Sequence, residues 1–295
     1  MNRIFVCNNL SKKYGRSMAL RNVNMELEEN VIYGLLGRNG AGKTTLLNII
    51  SGSIFADTGE IEVAGKLIGH GGIPRELCYV REKSYFYGNA RVVEILEMAS
   101  AFHENWDWDY ARELMKTFHL DGNKKIKHLS RGMESTVGNI IGLASRAPLT
   151  IFDEPVLGLD VLMRERFYQA LMNDYALYPR TILFSTHLID EIATVAEKVY
   201  IMEAGKILLH EEVENLQARS HLLRGPSGYL DAFAQGKRVI YRESYGSGGG
   251  IAVLFDTITE QEKQEAVRSG ISFDELSLQK LFAYLAEGGL DSDKG

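Results

Sequence analysis

The chain has 295 residues, 45% hydrophobic and 24% charged, enough to bury one sizeable core and carry an appendage. A net charge of −6 and a pI near 5.7 argue against a broad basic field, so nucleic acid is not an expected partner. Cys7 and Cys78 are only two, far apart and without C-x-x-C or Cys/His ligand spacing, so neither a disulfide framework nor a structural zinc site is expected, and no stretch reaches the roughly 18 apolar residues that cross a bilayer. With no hydrophobic signal core at its start, the chain is expected in a reducing cytosol, and any membrane crossing would fall to another polypeptide.

Residues 2–7 and 23–29 read as short strands around a loop, Ser11 to Gly15, where Tyr14 could pack on the hairpin or stack on a flat base. Val31 to Leu36 is an apolar run of strand length. It leads into Gly37-Arg38-Asn39-Gly40-Ala41-Gly42-Lys43-Thr44, and then Leu46, Leu47, Ile49 and Ile50 share one helical face as far as Gly52. A strand, a Gly-rich turn and a helix are the setting that G-x-x-x-x-G-K-[ST] requires. Its backbone N–H groups and helix N-terminus converge on a polyanion, Lys43 would bridge the terminal phosphates, and Thr44 would set a hydroxyl on Mg²⁺. A nucleoside triphosphate is the expected ligand.

Residues 54–70 alternate polar and apolar around Gly59, Gly65 and Gly69, as an antiparallel hairpin does. A helical pattern follows from about Met98 to His119, with Ala111, Leu114, Met115 and Phe118 on one face and Trp106 and Trp108 read as packing residues. The basic run Lys124 to Lys127 reads as a solvated edge. Leu129-Ser130-Arg131-Gly132 opens an amphipathic helix carrying Met133, Val137, Ile140, Ile141 and Ala144, closed by Pro148. Ser130 stands at its N-cap, and either it caps its own helix or, with the Gly132 N–H, it offers an anion site.

Leu149 to Pro155 reads as a buried strand ending in two carboxylates, Asp153 and Glu154, a costly placement unless a cation or a proton transfer requires it. Asp153 is suited to hold Mg²⁺ and Glu154 to orient and deprotonate a water. After Gly158-Leu159-Asp160 come a helix to about Tyr175, a buried strand from Thr181 to Ser185, and His187 just beyond the strand's carboxyl end, where ligands of α/β sheets collect. A hairpin over 199–209 then closes a nucleotide domain near residue 215. The remainder, 216–295, reads as a small α+β domain that regulates or braces a dimer. It has strands at 238–244 and 251–255, helices at 259–268 and 277–286, and a tail from Gly288 expected to be disordered.

Taken together and in order, Gly37 to Thr44, Leu129 to Gly132, Ile151 to Glu154, Leu159-Asp160 and His187 resemble the nucleotide-binding domain of ABC transporters over about residues 3–215. The Ser-Arg-Gly-Met form and the small extension look most like ATPase subunits of bacterial ABC-2-type exporters of drugs, antibiotics or peptides. The resemblance implies a P-loop NTPase fold of ABC type, with a mixed sheet core, an antiparallel β subdomain and a helical subdomain near 83–147. It also implies two nucleotide domains closing head to tail, as a homodimer or a paralogous pair. Lys43, Thr44, Thr45 and Asp153 of one would hold Mg-ATP while Ser130 and Gly132 of the other cap the γ-phosphate. Glu154 would activate water, His187 would stabilise the transferring phosphoryl group, and Asp160 would link the two sites. The chain would work at the cytoplasmic face of the membrane, bound to an integral permease subunit.

Four positions depart from the family pattern. Glu82 occupies the position where glutamine is usual and could bind Mg²⁺ or repel phosphate. Arg131 replaces the first glycine of the signature and Met133 its glutamine, while Val156 stands where threonine is common. Tyr85, Phe86 and Tyr87 either meet the membrane subunit or pack inside the helical subdomain. The alternatives are a soluble ABC ATPase of translation or DNA maintenance and a nucleotide-binding regulator with little turnover.

Overall fold

The computed structural model describes residues 2–69, 72, 74–83, 85–246 and 248–287; the tail from Gly288 and Ser247 of the Gly-rich turn lie outside the described residues. The chain begins with strands β1 (Arg3–Tyr14), β2 (Ser17–Glu28) and β3 (Ile32–Leu36), helix α1 (Lys43–Ile50), and strands β4 (Thr58–Val63), β5 (Lys66–Leu67) and β6 (Leu77–Val80). Helices α2 (Val92–Ser100), α3 (Trp108–Thr117) and α4 (Arg131–Ser145) follow, then β7 (Leu149–Asp153), α5 (Val161–Leu177), β8 (Thr181–Thr186), α6 (Ile189–Ile192), β9 (Lys198–Glu203) and β10 (Lys206–Glu212). The last stretch holds α7 (Val213–Arg219), β11 (Ser220–Pro226), α8 (Ser227–Ala234), β12 (Val239–Ser244), β13 (Gly249–Phe255), α9 (Glu260–Arg268), β14 (Ser272–Asp274) and α10 (Leu278–Glu287). These form two compact units, Met1–His187 with Val195–His210, and Leu188–Thr194 with Glu211–Gly295.

In the first unit, strands β2-β1-β4-β5 make an antiparallel sheet and β10-β9-β3-β8-β7-β6 a mainly parallel one. Because β3, β7 and β8 are buried on both faces, they read as continuous apolar runs and need cover on each side. One face packs with α1 and the antiparallel sheet through Phe5, Leu10, Leu46, Leu47, Ile151 and Leu183. On the other, Phe152 stacks on Phe184 at 5.3 Å between ring centres, and Phe167 of α5 meets Phe152 edge-on at 5.5 Å.

The parallel register, with Leu36 opposite Thr186 and Asp153 opposite Ser185, brings the carboxyl ends of β3, β7 and β8 to one edge. That alignment positions the site.

Two local expectations are corrected. β1 runs through to Tyr14, so the turn is only Gly15-Arg16, and the expected loop from Ser11 is strand. Its polar residues mislead because Ser11 pairs with Asn22 across the hairpin, and irregular register at Asn9 and Asn22, both at positive φ, breaks the alternation. The single helical stretch from Met98 is two helices, the first beginning at Val92, with Asp107 capping the second through Tyr110 N–H at 2.9 Å.

The second unit is built on an antiparallel sheet, β12-β13-β11-β14, against which α8 and α9 bury Leu230 and Ala266 beside Leu223 and Leu254. The sequence pattern anticipates β12, β13, α9 and α10 but not the interior strand β11, whose apolar stretch is short and ends in Gly225-Pro226.

Candidate nucleotide site

The turn from β3 into α1 is held by backbone packing. Gly42 has φ 106°, and a Cβ there would sit 2.6 Å from the Ala19 carbonyl oxygen, so only glycine fits. At Gly37 a Cβ would meet the Met202 carbonyl oxygen at 2.5 Å. The loop therefore rests directly on β2 and β9, and Gly205 N–H donates to the Ala41 carbonyl at 2.9 Å.

Lys43 opens α1 and is buried, its Nζ donating to the Gly37 carbonyl at 2.7 Å. Burial lowers its pKa, opposed by the charges of Glu154, Asp153 and Glu203. Thr44 Oγ1 lies 3.4 Å from Asp153 Oδ2, which also accepts from the Tyr79 hydroxyl at 3.3 Å. Burial raises the Asp153 carboxyl, the hydrogen bond from the Tyr79 hydroxyl opposes that, and the charges of Glu154 and Glu82 add to it.

Glu154 has φ 51°, a left-handed conformation rare for a residue of its size, fixed by its N–H donating to the Ser185 carbonyl at 2.8 Å. This kink ends the strand and carries Oε2 to 2.9 Å from His187 Nδ1, with the Thr186 hydroxyl donating at 3.3 Å. Glu154 is almost enclosed and His187 is half exposed. Carboxylate and imidazole are therefore paired, at the edge of a cleft lined by the Arg38 to Thr45 loop, Asp153, Glu154 and Glu82.

Ser17, Met18 and Ala19 also line that cleft, and no sequence motif marks them. Tyr14 is not among its lining residues; it ends β1, 51% exposed, with the Lys12 ammonium 5.6 Å from its ring centre. Ser130 Oγ accepts from Met133 N–H at 3.2 Å and Asp160 Oδ1 from Met163 N–H at 2.9 Å, so in the single chain each caps its own helix. Gly132 sits so close to the Gly158 carbonyl that a Cβ would approach it to 2.6 Å, packing the start of α4 on the turn before α5. Tyr85 and Tyr87 are 80% and 69% exposed, which places both on the surface rather than in a core; Phe86 is half-buried.

Among the described residues no group of three His, Cys, Asp or Glu side chains converges to hold a metal by itself. The oxygen donors present, Thr44 and Asp153, suit a hard cation that arrives with phosphate oxygens and keeps its waters, as Mg²⁺ does.

The ABC transporter family model matches residues 20–157. An uncharacterized ABC transporter ATP-binding protein of Methanocaldococcus jannaschii is 32% identical over 213 residues, 70% of this chain and 77% of that protein. The lantibiotic transport ATP-binding protein SrtF of Streptococcus pyogenes is 28% identical over 213 residues, 71% and 92% of the two chains. A solved structure of the ATP-binding subunit of an ABC transporter superposes with TM-score 0.66 at 25% identity, covering 72% of this chain and 92% of that one. The chain belongs to the family of ABC transporter ATP-binding proteins. It is thus a P-loop ATPase that binds ATP and drives transport through a separate membrane subunit, and among the described residues no helix is long and apolar enough to cross a membrane.

Proposed function

We propose that two such nucleotide domains close head to tail and hydrolyse ATP in sites neither completes alone. Gly37, Asn39, Gly40, Ala41, Gly42, Lys43, Thr44 and Thr45 hold the phosphates of ATP. Tyr14 stands at the hairpin tip, exposed to meet the base. Thr44 and Asp153 hold Mg²⁺, with Glu82 within the same cleft as a further carboxylate. When bound, the cation supplies positive charge to the phosphate oxygens. Glu154 takes the proton from the attacking water, and His187, paired with it, stabilises the phosphoryl group in transfer. Ser130 and Gly132 of the partner cap the γ-phosphate, and Asp160 connects the two sites.

The observation that carries this reading is the convergence at one sheet edge of a buried lysine, a desolvated aspartate and a glutamate–imidazole pair at 2.9 Å. Likeness to a lantibiotic transport protein favours export of a peptide or related antibiotic as the process served. The exposure of Tyr85 and Tyr87 suits contact with the permease, which holds the chain at the cytoplasmic face of the membrane. The relatives reported above carry transport names, which disfavours a role in translation or DNA maintenance.

Phosphate release tests the catalytic part. Glu154→Gln is expected to bind ATP normally and turn over roughly 10²–10⁴-fold more slowly than wild type, the usual contribution of a positioned base. Equal rates would remove Glu154 from that role, and a wild type with no phosphate release would favour a nucleotide-binding regulator.

A further inference from the structure

Two residues that depart from the family pattern meet in space. Arg131 Nη2 lies 3.1 Å from Glu82 Oε1, joining the segment after β6 to the first residue of α4. Glu82 also lines the nucleotide cleft with Thr44, Asp153 and Glu154, near enough for its charge to act on Asp153. The same carboxylate therefore stands between two claims, the guanidinium on one side and the oxygen donors suited to a divalent cation on the other. The side chains are 45% and 69% exposed, so exchanging one partner for the other strands no buried charge. Arg131 lies between Ser130 and Gly132, at the amino end of a fifteen-residue helix, and a guanidinium there is suited to grip a phosphate.

We propose that Glu82 and Arg131 form an exchangeable clasp: Arg131 holds Glu82 in the ligand-free chain, and once a metal-bound nucleotide claims the carboxylate, the freed guanidinium becomes a third donor, beside Ser130 and Gly132, to the nucleotide on the partner. The clasp rests on the head-to-tail reading above. It makes filling of a protomer's own cleft a condition for full capping of its partner's.

The test uses the full chain in a Glu154→Gln background, so that nucleotide persists. ATP affinity is measured with and without Mg²⁺ in dilute, monomeric protein, and ATP-driven dimerisation by sedimentation. Arg131→Gln is expected to tighten Mg²⁺-dependent binding roughly 2- to 5-fold, the size of an exposed ion pair. It should leave metal-free affinity unmoved and weaken dimerisation, opposite signs that a general loss of structure does not produce. Glu82→Gln should loosen Mg²⁺-dependent binding, and adding Arg131→Gln to it should change that affinity no further. Arg131→Lys, which keeps the charge, should stay near the parent. Unchanged Mg²⁺-dependent affinity in Arg131→Gln, or independent addition of the two effects, would overturn the clasp alone. A parent that neither binds Mg-ATP nor dimerises would overturn the head-to-tail reading together with it.

Discussion

Asp153 illustrates how a site sets function against stability at the scale of one residue. Its carboxyl is raised above the ordinary 3.8 by burial first, with Glu154 and Glu82 adding to the effect. A raised carboxyl contributes stability below the unfolded value and loses it as pH rises through the folded one. In the ligand-free protein near neutral pH its charge is therefore a cost. Asp153→Asn keeps an oxygen for the Tyr79 and Thr44 hydroxyls without that charge. It is expected to raise the ligand-free Tm by calorimetry near neutral pH, the gain fading as pH falls toward the ordinary carboxylate range, and to lose Mg²⁺-dependent stabilisation by ATP. A lower Tm near neutral pH would contradict this. The left-handed backbone of Glu154 was not legible in the sequence, because a glutamate gives no sign of positive φ; only Ser185, its partner on the neighbouring strand, explains it.

Among the elements, α4 is positioned from both ends. Ser130 caps it, Gly132 packs against the Gly158 carbonyl, and Arg146, at its left-handed end, pairs with Asp107 at 2.9 Å and Asp174 at 3.1 Å. In its last turn, Gly142 lets the helix approach β7 so closely that a Cβ would lie 2.5 Å from Phe152 Cε1 and 2.8 Å from Val80 Cγ2. Phe152 is fully buried between Phe167 and Phe184 and cannot yield. Gly142→Ala is therefore expected to destabilise by about 1–3 kcal/mol, read as a lower denaturant midpoint with unchanged slope; an unaltered midpoint would show that the helix can move off the sheet. The strand–turn–helix around Lys43 and the strand ends at Asp153 and His187 were legible because continuous apolar runs stop at polar, chemistry-bearing residues. The long hairpin of β1 and β2 and the interior strand β11 were not, since irregular register and a short apolar stretch leave no clean period of two. The cleft contribution of Ser17 to Ala19 depends on how that hairpin folds back, which no local motif records.

At the level of the whole molecule, the proposed contact with a membrane subunit falls on an exposed aromatic surface. Exposed Tyr85 and Tyr87 flank half-buried Phe86 beside a recess lined by Tyr79, Val80, Gly138 and Ile141. Replacing Tyr85, Phe86 and Tyr87 by alanine is expected to abolish co-purification with the membrane subunit while ATP binding persists, and undiminished co-purification would dismiss that surface. The claim on which everything else depends is that Ser130 serves the nucleotide of a different protomer from its own Lys43. Lys43→Ala removes a charge-assisted phosphate contact of roughly 1.5–3 kcal/mol, and Ser130→Glu puts a like charge against the γ-phosphate. In a Glu154→Gln background with saturating Mg-ATP, each variant alone should sediment as a monomer, since each of its sites is broken. Mixed, they should form dimers, because one site then pairs an intact lysine loop with an intact serine turn; a mixture that stays monomeric while the Glu154→Gln parent dimerises would contradict the shared site.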